Sequence, residues 1–531
     1  MSTAASAATA VAFVNPAGQL PALQIMLPMV AAPLAVLLRR PLGAWWIAMM
    51  GTVGSAFIAW RLLVHVNAEG PIRYVIGGWE GPTGIEFYID ALNATVLLLV
   101  AGISAVVLLY ARESINRTVP VDKQYLFYAA WLLCLTGLLG ITITGDAFNV
   151  FVFLEISSLA TYMLIGLGQD RRALTASFNY LVLGSVGASF ILIGVGFLYA
   201  ATGTLNMIDL AHRIPDAESE RAVLVAFSFL TIGLMIKAAV FPLHAWLANA
   251  YTHAPIAVTC FLAGTATKVS LYVMIRFFYS IFGADYSFGT LFLNSVLLPA
   301  GILGFVLMST VAVFQTDLRR MLAYSSVAQL GYIVSGIALA SQAGVSAALV
   351  HMVNHGLVKS TLFMAVGCIL YRHAHVHIPS FDQLFKRMPA TCTAFILAGL
   401  GLIGIPLTAG FVTKFQLVGA MLERDLWWVA GLVLASSLLA LIYIARVVEV
   451  MLFSRSRAEA PTDGTATETV TRDEAPLSML IPMYLLLAAM FWAGINGDAT
   501  LAVAGEAARS VLEGLRVVPL ALPSALDGGA S

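Results

Sequence analysis

The sequence predicts an all-α, polytopic membrane protein with about fourteen transmembrane helices. Of its 531 residues, 60% are hydrophobic and only 11% are charged, and the mean hydropathy is +0.90. A soluble domain carries about 25% charged residues. The formal net charge is zero, which gives nucleic-acid binding no electrostatic support. The composition therefore predicts a chain whose solvent is mainly lipid.

Fourteen segments of the sequence approach the roughly 20 apolar residues that a helix needs to cross a bilayer. We predict spans at 22–38, 43–66, 87–110, 124–142, 147–168, 174–201, 222–246, 255–281, 292–312, 322–341, 345–371, 391–420, 425–453 and 475–495. Fifteen Lys and Arg residues are assigned to the odd-numbered connectors and five, Arg276 among them, to the even-numbered ones. The positive-inside rule then predicts cytoplasmic odd-numbered connectors, with both termini on the outer side.

Two of these spans are interrupted and carry a lysine. Span seven has Lys237 followed by Pro242, and span twelve has Pro406 and Gly410 followed by Lys414. Proline breaks or kinks a helix, and broken backbone within a bilayer is tolerated only where protein or water surrounds it. The two spans are five apart, an odd number, which predicts two units of opposite topology. Interrupted helices at matching positions of two halves point to a transport path.

Lys237, Lys268 and Lys414 lie deep among apolar residues. A lysine at the centre of a membrane helix costs about 3 kcal/mol on insertion scales. Desolvation can bring the pKa of a lysine from about 10.4 towards neutrality, so that the side chain can exchange protons. Glu155 is the one carboxylate well inside a span. Beside a lysine it would form an ion pair that can open and close, and inert charges that fix helix packing are the alternative.

Span eleven places His351, His355 and Lys359 at i, i+4 and i+8, on one face of a helix. Three titratable groups in one row predict a proton wire, because histidine relays protons at neutral pH. His244, two residues after Pro242, is predicted either to join the first half-channel or to cap the broken helix.

The sequence predicts no cofactor and no metal site. The four cysteines fall in apolar spans without CxxC spacing, and we find no haem, iron–sulfur or phosphate-loop motif. The alternating His373, His375 and His377 in a cytoplasmic connector leave three interpretations open: a metal site, a proton-collecting surface, or a solvated loop without a role.

We divide the chain into five parts. Residues 1–123 hold helices 1–3, residues 124–281 hold helices 4–8 with the first interrupted span, and residues 292–453 hold helices 9–13 with the second. Residues 454–474 are polar, and we predict a disordered cytoplasmic linker. Residues 475–531 hold helix 14 and a tail whose stretch 499–516 is predicted to lie on the outer membrane surface.

The sequence resembles the antiporter-like membrane subunits of respiratory complex I and of Mrp-type multisubunit cation/proton antiporters. The segments that carry the resemblance are spread in order along the chain: GDAFNVFVFLEISSLATYML, KAAVFPLHAWLANAYTHAP, LAGTATKVSLYVMIR, QTDLRRMLAYSSVAQLGY, HMVNHGLVKSTLF and GIPLTAGFVTKF. The resemblance implies two inverted five-helix repeats, spans four to eight and nine to thirteen.

The resemblance also implies roles for the matched residues. Glu155 would pair with Lys237, Lys268 would be the central relay, His351 and His355 would continue the path, and Lys414 would end it, with His244 and Lys359 as secondary relay groups. Lysine at 414 is typical of Mrp D subunits, whereas the complex I subunit closest in length usually has glutamate there. The chain departs from the family at Ala248, Asn249 and His253, where proline, aspartate and an acidic residue are usual.

The sequence thus predicts a proton-translocating subunit of a multisubunit Na⁺ (monovalent cation)/H⁺ antiporter in the inner cell membrane, with other subunits and lipid as partners. It predicts a transporter subunit and not an enzyme with its own redox centre. One alternative is the equivalent subunit of a redox-driven complex, an NADH-quinone oxidoreductase or a membrane-bound hydrogenase. Others are a coupling subunit for inorganic-carbon uptake and a scaffold with inert charges.

Overall fold

The computed structural model describes residues 16–168, 170–381, 383–453 and 472–520, and these residues are almost entirely helical. The helices are α1 (Leu20–Leu38), α2 (Pro41–Glu69), α3 (Ala91–Thr118), α4 (Gln124–Ile143), α5 (Ala147–Gly166), α6 (Arg171–Thr202), α7 (Met207–Arg213), α8 (Glu220–Lys237), α9 (Ala245–His253), α10 (Ile256–Gly264), α11 (Ala266–Ile275), α12 (Asn294–Val313), α13 (Leu318–Ala338), α14 (Gln342–Arg372), α15 (Leu384–Arg387), α16 (Pro389–Ile403), α17 (Ala409–Leu422), α18 (Trp427–Phe453), α19 (Leu477–Ile495) and α20 (Gly497–Glu513).

The predicted transmembrane architecture is confirmed. Twelve helical segments within the described ranges are long and apolar enough to span a membrane. The two predicted spans that are missing from this set are span seven, which covers α8 and the first residues of α9, and span twelve, which consists of the shorter apolar helices α16 and α17. Large apolar side chains such as Leu37, Phe57 and Phe178 are exposed, as is expected of a surface that faces lipid.

Span seven breaks directly after its lysine. α8 ends at Lys237, and α9 begins at Ala245 after a segment that contains Pro242 and the positive-φ residue Ala239 (φ 54°). The turn that ends α8 is closed by backbone bonds, with the Ala239 N–H donating to the Ile236 carbonyl oxygen at 3.1 Å. The Trp246 Nε1–H donates to the Ile236 carbonyl oxygen at 2.9 Å, which ties α9 back onto the end of α8.

Span twelve breaks before its lysine. α16 ends at Ile403, Gly404 follows with φ 92°, and α17 begins at Ala409. Gly410 is required by packing, because a Cβ atom there would lie only 1.9 Å from the Gly401 carbonyl oxygen. The first two turns of α17 therefore lie against the C-terminal turn of α16.

Span eight contains a third break, which the sequence analysis did not predict. α10 ends at Gly264 and α11 begins at Ala266, with no proline at the junction. Side chains of other helices donate to α10 near the break: the Ser360 hydroxyl donates to the Cys260 carbonyl at 2.9 Å, and the Tyr251 hydroxyl donates to the Leu262 carbonyl at 3.1 Å. After α11, the span ends in a π-helical turn, Arg276–Ile281.

A small antiparallel hairpin joins α2 to α3. Strand β1 (Ile72–Val75) pairs with β2 (Glu86–Ile89), with Ile72 opposite Ile89. Glu86 is fully buried and bonds Arg73 at 2.9 Å and Asn206 at 2.7 Å. The hairpin is thereby fixed to the loop that precedes α7.

Asp90 and Arg276 form a buried ion pair that links α3 to span eight. The two guanidinium nitrogens donate to the two carboxylate oxygens at 2.8 and 2.9 Å. Asp90 also caps α3 by accepting the Asn93 backbone N–H. The assignment of Arg276 to a connector is wrong, because the residue is buried within the span, where a bidentate partner offsets its desolvation.

The C-terminal helices close one side of the bundle. α19 and α20 pack against α14 and α3. Most of the linker predicted to be disordered, residues 454–471, lies outside the described residues. Its last residues are docked: Asp473 pairs with Arg372 at 3.1 Å, and the Glu474 carboxylate accepts the Ala390 N–H at 2.8 Å, at the start of α16. This clamp connects the end of the linker to α14 and α16.

Candidate functional site

The first predicted site lies where α8 ends. Lys237 Nζ is 3.8 Å from Glu155 Oε1 and donates to the Ser158 hydroxyl at 2.9 Å. The lysine side chain is 4% exposed and the glutamate side chain 25% exposed. Glu155 Oε1 accepts no hydrogen bond although the atom is buried. The pair is thus an ion pair beyond hydrogen-bond distance, and a small movement of either side chain would make or break a direct contact.

A cavity of about 30 Å³ separates Lys237 from α11, the helix that carries Lys268. Polar side chains on its wall include Ser157, Thr161 and Ser270. A site that holds one water needs about 10–15 Å³ and two to four polar partners. The cavity therefore has room and hydrogen-bonding groups for about two water molecules between the two lysine-bearing helices.

Lys268 is fully buried, with no exposed surface. Its ammonium group donates to the Ala263 carbonyl oxygen, which the break in span eight has freed, and lies 3.5 Å from the Thr267 hydroxyl. The break leaves the Ala263 carbonyl oxygen outside the helical hydrogen-bond pattern. This oxygen can therefore accept from a buried cation in an otherwise apolar interior. The lysine and the break thus stabilise each other.

His351 and His355 continue the row on α14. Their ring centroids are 6.2 Å apart, and both rings are buried. Lys268 is within electrostatic range of both, and Lys414 is within range of His351. Both ring nitrogens of His355 are buried without a hydrogen-bond partner, next to a cavity of about 10 Å³. This volume is at the lower limit for one water molecule.

His351 is held on both sides. Its Nδ1 is 3.0 Å from the Thr413 hydroxyl, and its Nε2 is 3.0 Å from the Gln329 side-chain oxygen. The Thr413 hydroxyl itself donates to the Gly410 carbonyl at 2.9 Å. The Gln329 amide can present its oxygen or its nitrogen to the ring, since the two groups are nearly isosteric. The same frame can therefore accommodate a charged or a neutral imidazole.

Lys414 ends the row in the second broken helix. Its ammonium group donates to the carbonyl oxygens of Leu402 at 3.1 Å and Ile403 at 2.8 Å, the last carbonyls of α16. It also lies 5.2 Å from the centroid of the Tyr332 ring, within cation–π range. Carbonyl dipoles and an aromatic face replace the carboxylate that Lys237 has.

The two secondary relay candidates lie beside this row. Lys359 donates to the Ser325 hydroxyl at 2.8 Å, and Ser325 is 2.8 Å from the Tyr443 hydroxyl, so that Lys359 starts a branch towards α18. His244 stacks on Phe241 at 5.3 Å in the break of span seven. Its side chain makes no capping hydrogen bond to α9, and its buried Nδ1 has no partner.

The sequence analysis missed the neutral residues that hold these charges. Ser158 lies three residues after Glu155 on the same face of α5, and Thr413 directly precedes Lys414. Spacing alone could have suggested Ser158. Gln329 and Tyr332 lie one turn apart on α13, and only tertiary structure brings them to His351 and Lys414.

The connector after α14 brings two of its three histidines to one cavity. His373 and His375 line a cavity of about 200 Å³ together with Arg387. Across the described ranges, no group of three or more His, Cys, Asp or Glu side chains is placed to hold a metal ion. Burial, followed by the charge of Arg387, lowers the pKa of His373, so that the ring is mostly uncharged at neutral pH.

Helices that cross a membrane, break in the middle and carry buried lysines define the class of antiporter-like membrane subunits. The chain belongs to the NADH:quinone oxidoreductase/Mrp antiporter transmembrane family, whose model matches residues 144–440. This match includes Glu155, the four buried lysines and both histidines of α14, and it confirms the family resemblance of the sequence.

Curated relatives come from two kinds of assembly. The chain is 40% identical over 479 residues to the N subunit of the NADH-quinone oxidoreductase of Desulforudis audaxviator, an alignment that covers 88% of this chain and 94% of the relative. It is 32% identical over 406 residues to the D subunit of the Na⁺/H⁺ antiporter of Alkalihalophilus pseudofirmus, covering 76% of this chain and 80% of the relative.

Two solved structures share the fold, each with a TM-score of 0.84 and each covering 94% of this chain and 98% of the compared chain. One is the membrane-bound sulfane sulfur reductase, an archaeal respiratory membrane complex, at 31% identity. The other is the Mrp complex of a Dietzia species, at 24% identity. The chain is therefore a multi-pass, transporter-type membrane subunit of Mrp-like or complex I-like multisubunit assemblies.

Proposed function

We propose that this chain is the proton-translocating D-type subunit of a multisubunit Na⁺/H⁺ antiporter. The observation that carries the proposal is the row of buried ionisable groups from α5 to α17. It starts at the Glu155–Lys237 pair, reaches α11 across the cavity beside Lys237, and continues from Lys268 through His355 and His351 to Lys414. Four lysines are buried in the bundle, and of these only Lys237 has Glu155 beside it. Burying so many lysines merely to fix helix packing would be costly, which favours a role in moving charge.

In this proposal, protons enter near Lys237, cross the two-water cavity to Lys268, pass along the histidines and leave near Lys414. The Glu155–Lys237 pair acts as an electrostatic gate. When the pair closes, Glu155 favours the charged form of Lys237; when it opens, the lysine can pass its proton on. His244 and Lys359 would feed or drain the row from its sides.

Partner subunits would couple this proton movement to export of Na⁺ or another monovalent cation. The relatives that are D subunits of Na⁺/H⁺ antiporters, at 30% and 32% identity, support that choice of cation. We further propose that the chain holds no redox centre, resides in the cytoplasmic membrane and has both termini outside, in line with the Lys and Arg bias of its connectors.

Transport by the whole assembly in inverted membrane vesicles tests the proposal. Na⁺ is added under an imposed proton gradient while internal pH is followed, for wild type and for Lys414→Ala. The proposal expects Na⁺-dependent loss of the gradient that disappears in the variant. The matched control is Lys386→Ala, which removes an exposed lysine in α15 and should transport normally. Full Na⁺-dependent activity in assembled Lys414→Ala would refute the proposed path.

A redox-driven complex is the second candidate, favoured by the 40% identity to the N subunit of an NADH-quinone oxidoreductase and by the fold shared with a respiratory membrane complex. The same vesicles separate the two. If Na⁺ has no effect but quinone-linked electron flow builds a gradient that needs Lys414, the redox-driven function replaces the antiporter. Genes for quinone- or iron–sulfur-binding subunits beside this gene would point the same way.

A further inference from the structure

A cavity of about 260 Å³ lies on the face of the odd-numbered connectors, apart from the buried row. It is bounded by the end of α3, the start of α13, the end of α14 and the junction of α9 with α10. The polar residues on its wall are Ser114, Arg117, Thr118, Asp170, His253 and Arg319. Pro255, Ile256 and Leu370 make its wall apolar on one side.

Two nitrogen atoms at this cavity are buried and have no hydrogen-bond partner. Arg319 Nε lies 4.0 Å from the Asp317 carboxylate, and His253 Nδ1 lies 4.0 Å from the Asp170 carboxylate, both beyond hydrogen-bond distance. Buried polar groups are nearly always hydrogen-bonded. Two orphaned nitrogens at one cavity therefore point to an acceptor that binds between them.

The charge around the cavity favours an anion. Arg117 and Arg319 are permanently charged, and Asp170 is the one carboxylate on the wall, with more than half of its side chain exposed. Arg117 is already oriented, because its guanidinium stacks over the Tyr371 ring at 3.7 Å and donates to the Tyr371 carbonyl oxygen. α10 also begins here, and the positive end of its dipole adds to the attraction.

We propose that this cavity binds the phosphate group of an anionic phospholipid headgroup. Arg319 and Arg117 would donate to the phosphate oxygens, and His253 would supply a third donor. The cavity lies at the end of α3, the start of α13 and the end of α14, where these spans would leave the membrane, and its apolar residues give the first acyl carbons a surface to lie on. Basic pockets between transmembrane helices on the cytoplasmic side commonly hold such headgroups.

His253 makes the site depend on pH. Burial, followed by the positive charge of Arg319, lowers the pKa of His253; Arg172 acts in the same direction, whereas Asp170 and Asp317 oppose it. The ring is therefore neutral at pH 7 in the empty cavity. A bound phosphate favours the protonated ring, so binding takes up a proton and becomes tighter as the pH falls.

Native mass spectrometry of the purified assembly, from nanodiscs of phosphatidylcholine with graded phosphatidylglycerol, tests the site. Arg319→Gln should weaken phosphatidylglycerol binding about tenfold, since a charge-assisted hydrogen bond is lost. Arg320→Gln is the matched control: it removes the neighbouring exposed arginine, which does not line the cavity, and should bind normally. Arg117→Gln gives a second variant if Arg319→Gln does not assemble.

Three further results decide the proposal. Lowering the pH from about 7.5 to about 5.5, across the range in which histidine titrates, should tighten binding in wild type and not in His253→Gln. Inorganic phosphate that displaces the lipid at equal affinity would overturn the lipid in favour of a free anion. Equal loss of phosphatidylglycerol in Arg319→Gln and Arg320→Gln would show that surface arginines attract the lipid without a specific site, and would overturn the proposal. Cross-linking of His253→Cys to an acidic segment of a partner protein would assign the cavity to a protein contact.

Discussion

The proline-containing breaks of spans seven and twelve place a lysine on opposite sides of the break, yet both lysines lie near the C-terminal end of a helix. Lys237 is the last residue of α8, whereas Lys414 lies in α17 and reaches back to the final carbonyls of α16. The negative end of the helix dipole stabilises a cation in both places. The difference lies in the additional partner: Lys237 has the Glu155 carboxylate, and Lys414 has the Tyr332 ring.

This difference shows how one local solution serves two purposes. A carboxylate at 3.8 Å on a partly exposed side chain can move towards or away from the ammonium group, so the electrostatic partner of Lys237 is variable. Carbonyl dipoles and an aromatic quadrupole cannot titrate, so the surroundings of Lys414 are constant. The first site is suited to gating and the second to receiving or releasing a proton at a fixed affinity.

The largest expected effect separates transport from assembly. Lys237→Ala and Lys414→Ala should each reduce Na⁺-dependent proton flux roughly a hundredfold, the scale of a lost proton-transfer group. Only Lys237→Ala leaves a carboxylate, that of Glu155, without its cation. This change should lower stability by about 2 kcal/mol, less than for a fully buried pair because Glu155 is partly exposed. Amounts of assembled complex should fall in that variant and recover in Lys237→Ala/Glu155→Gln, without return of flux.

Arginine at either lysine should reduce transport strongly and spare assembly. Lys237→Arg and Lys414→Arg keep the positive charge and the donors, but arginine does not release its proton. Flux should fall at least about tenfold, since proton transfer is lost, with normal amounts of complex by blue-native electrophoresis. Normal flux in either variant would mean that the residue supplies a fixed charge and carries no proton.

Glu155→Gln should reduce flux about tenfold, because Lys237 loses its variable partner while the Ser158 contact remains. Glu449→Gln is the control, since Glu449 is an exposed carboxylate in α18. The measurement is initial rate of pH change at several external pH values. Equal rates for Glu155→Gln and Glu449→Gln would remove the proposed gate.

Thr413→Val should reduce flux a few-fold and lower stability by about 1 kcal/mol, because His351 Nδ1 loses its hydrogen-bond partner. Thr413→Ser retains the hydroxyl and should restore both. Flux and thermal unfolding of the purified complex are measured together. A loss that serine does not restore would assign the threonine to packing.

The smallest effect is expected at Tyr332. Its hydroxyl has no hydrogen-bond partner, and its ring faces Lys414, so Tyr332→Phe should leave flux and stability unchanged. Tyr332→Leu removes the ring that faces Lys414 and should lower the free energy of unfolding by about 1 kcal/mol. If Tyr332→Phe lowers flux as much as Tyr332→Leu does, the hydroxyl takes part in proton transfer, and the Lys414 site does more than stabilise a charge.

Much of the membrane architecture could be predicted from the sequence, because lipid imposes long apolar runs and prolines mark two of the breaks. The break in span eight could not, since Thr265 follows Gly264 with no proline and a carbonyl near the break accepts a hydrogen bond from a distant helix. The burial of Arg276 was missed for the same reason: its partner Asp90 is 186 residues away in the chain.

The lysines and histidines of the site were predicted as residues, and their tertiary arrangement was not. An i, i+4 spacing places His351 and His355 on one face, as found. The same spacing placed Lys359 in line, yet the structure directs it to Ser325 and Tyr443 on a side branch. Helical periodicity fixes the direction of a side chain from its own helix and not the neighbour that it meets.

The break in span eight also bears on how the protein is made. The Ser360 hydroxyl, which donates to the Cys260 carbonyl beside the break, is synthesised 100 residues later. Until α14 has emerged from the ribosome, the middle of span eight would hold a charged Lys268 in lipid without the helix that covers it, an arrangement that the bilayer disfavours. We therefore expect span eight to remain beside the insertion machinery until span eleven arrives, so that these two distant spans are assembled together.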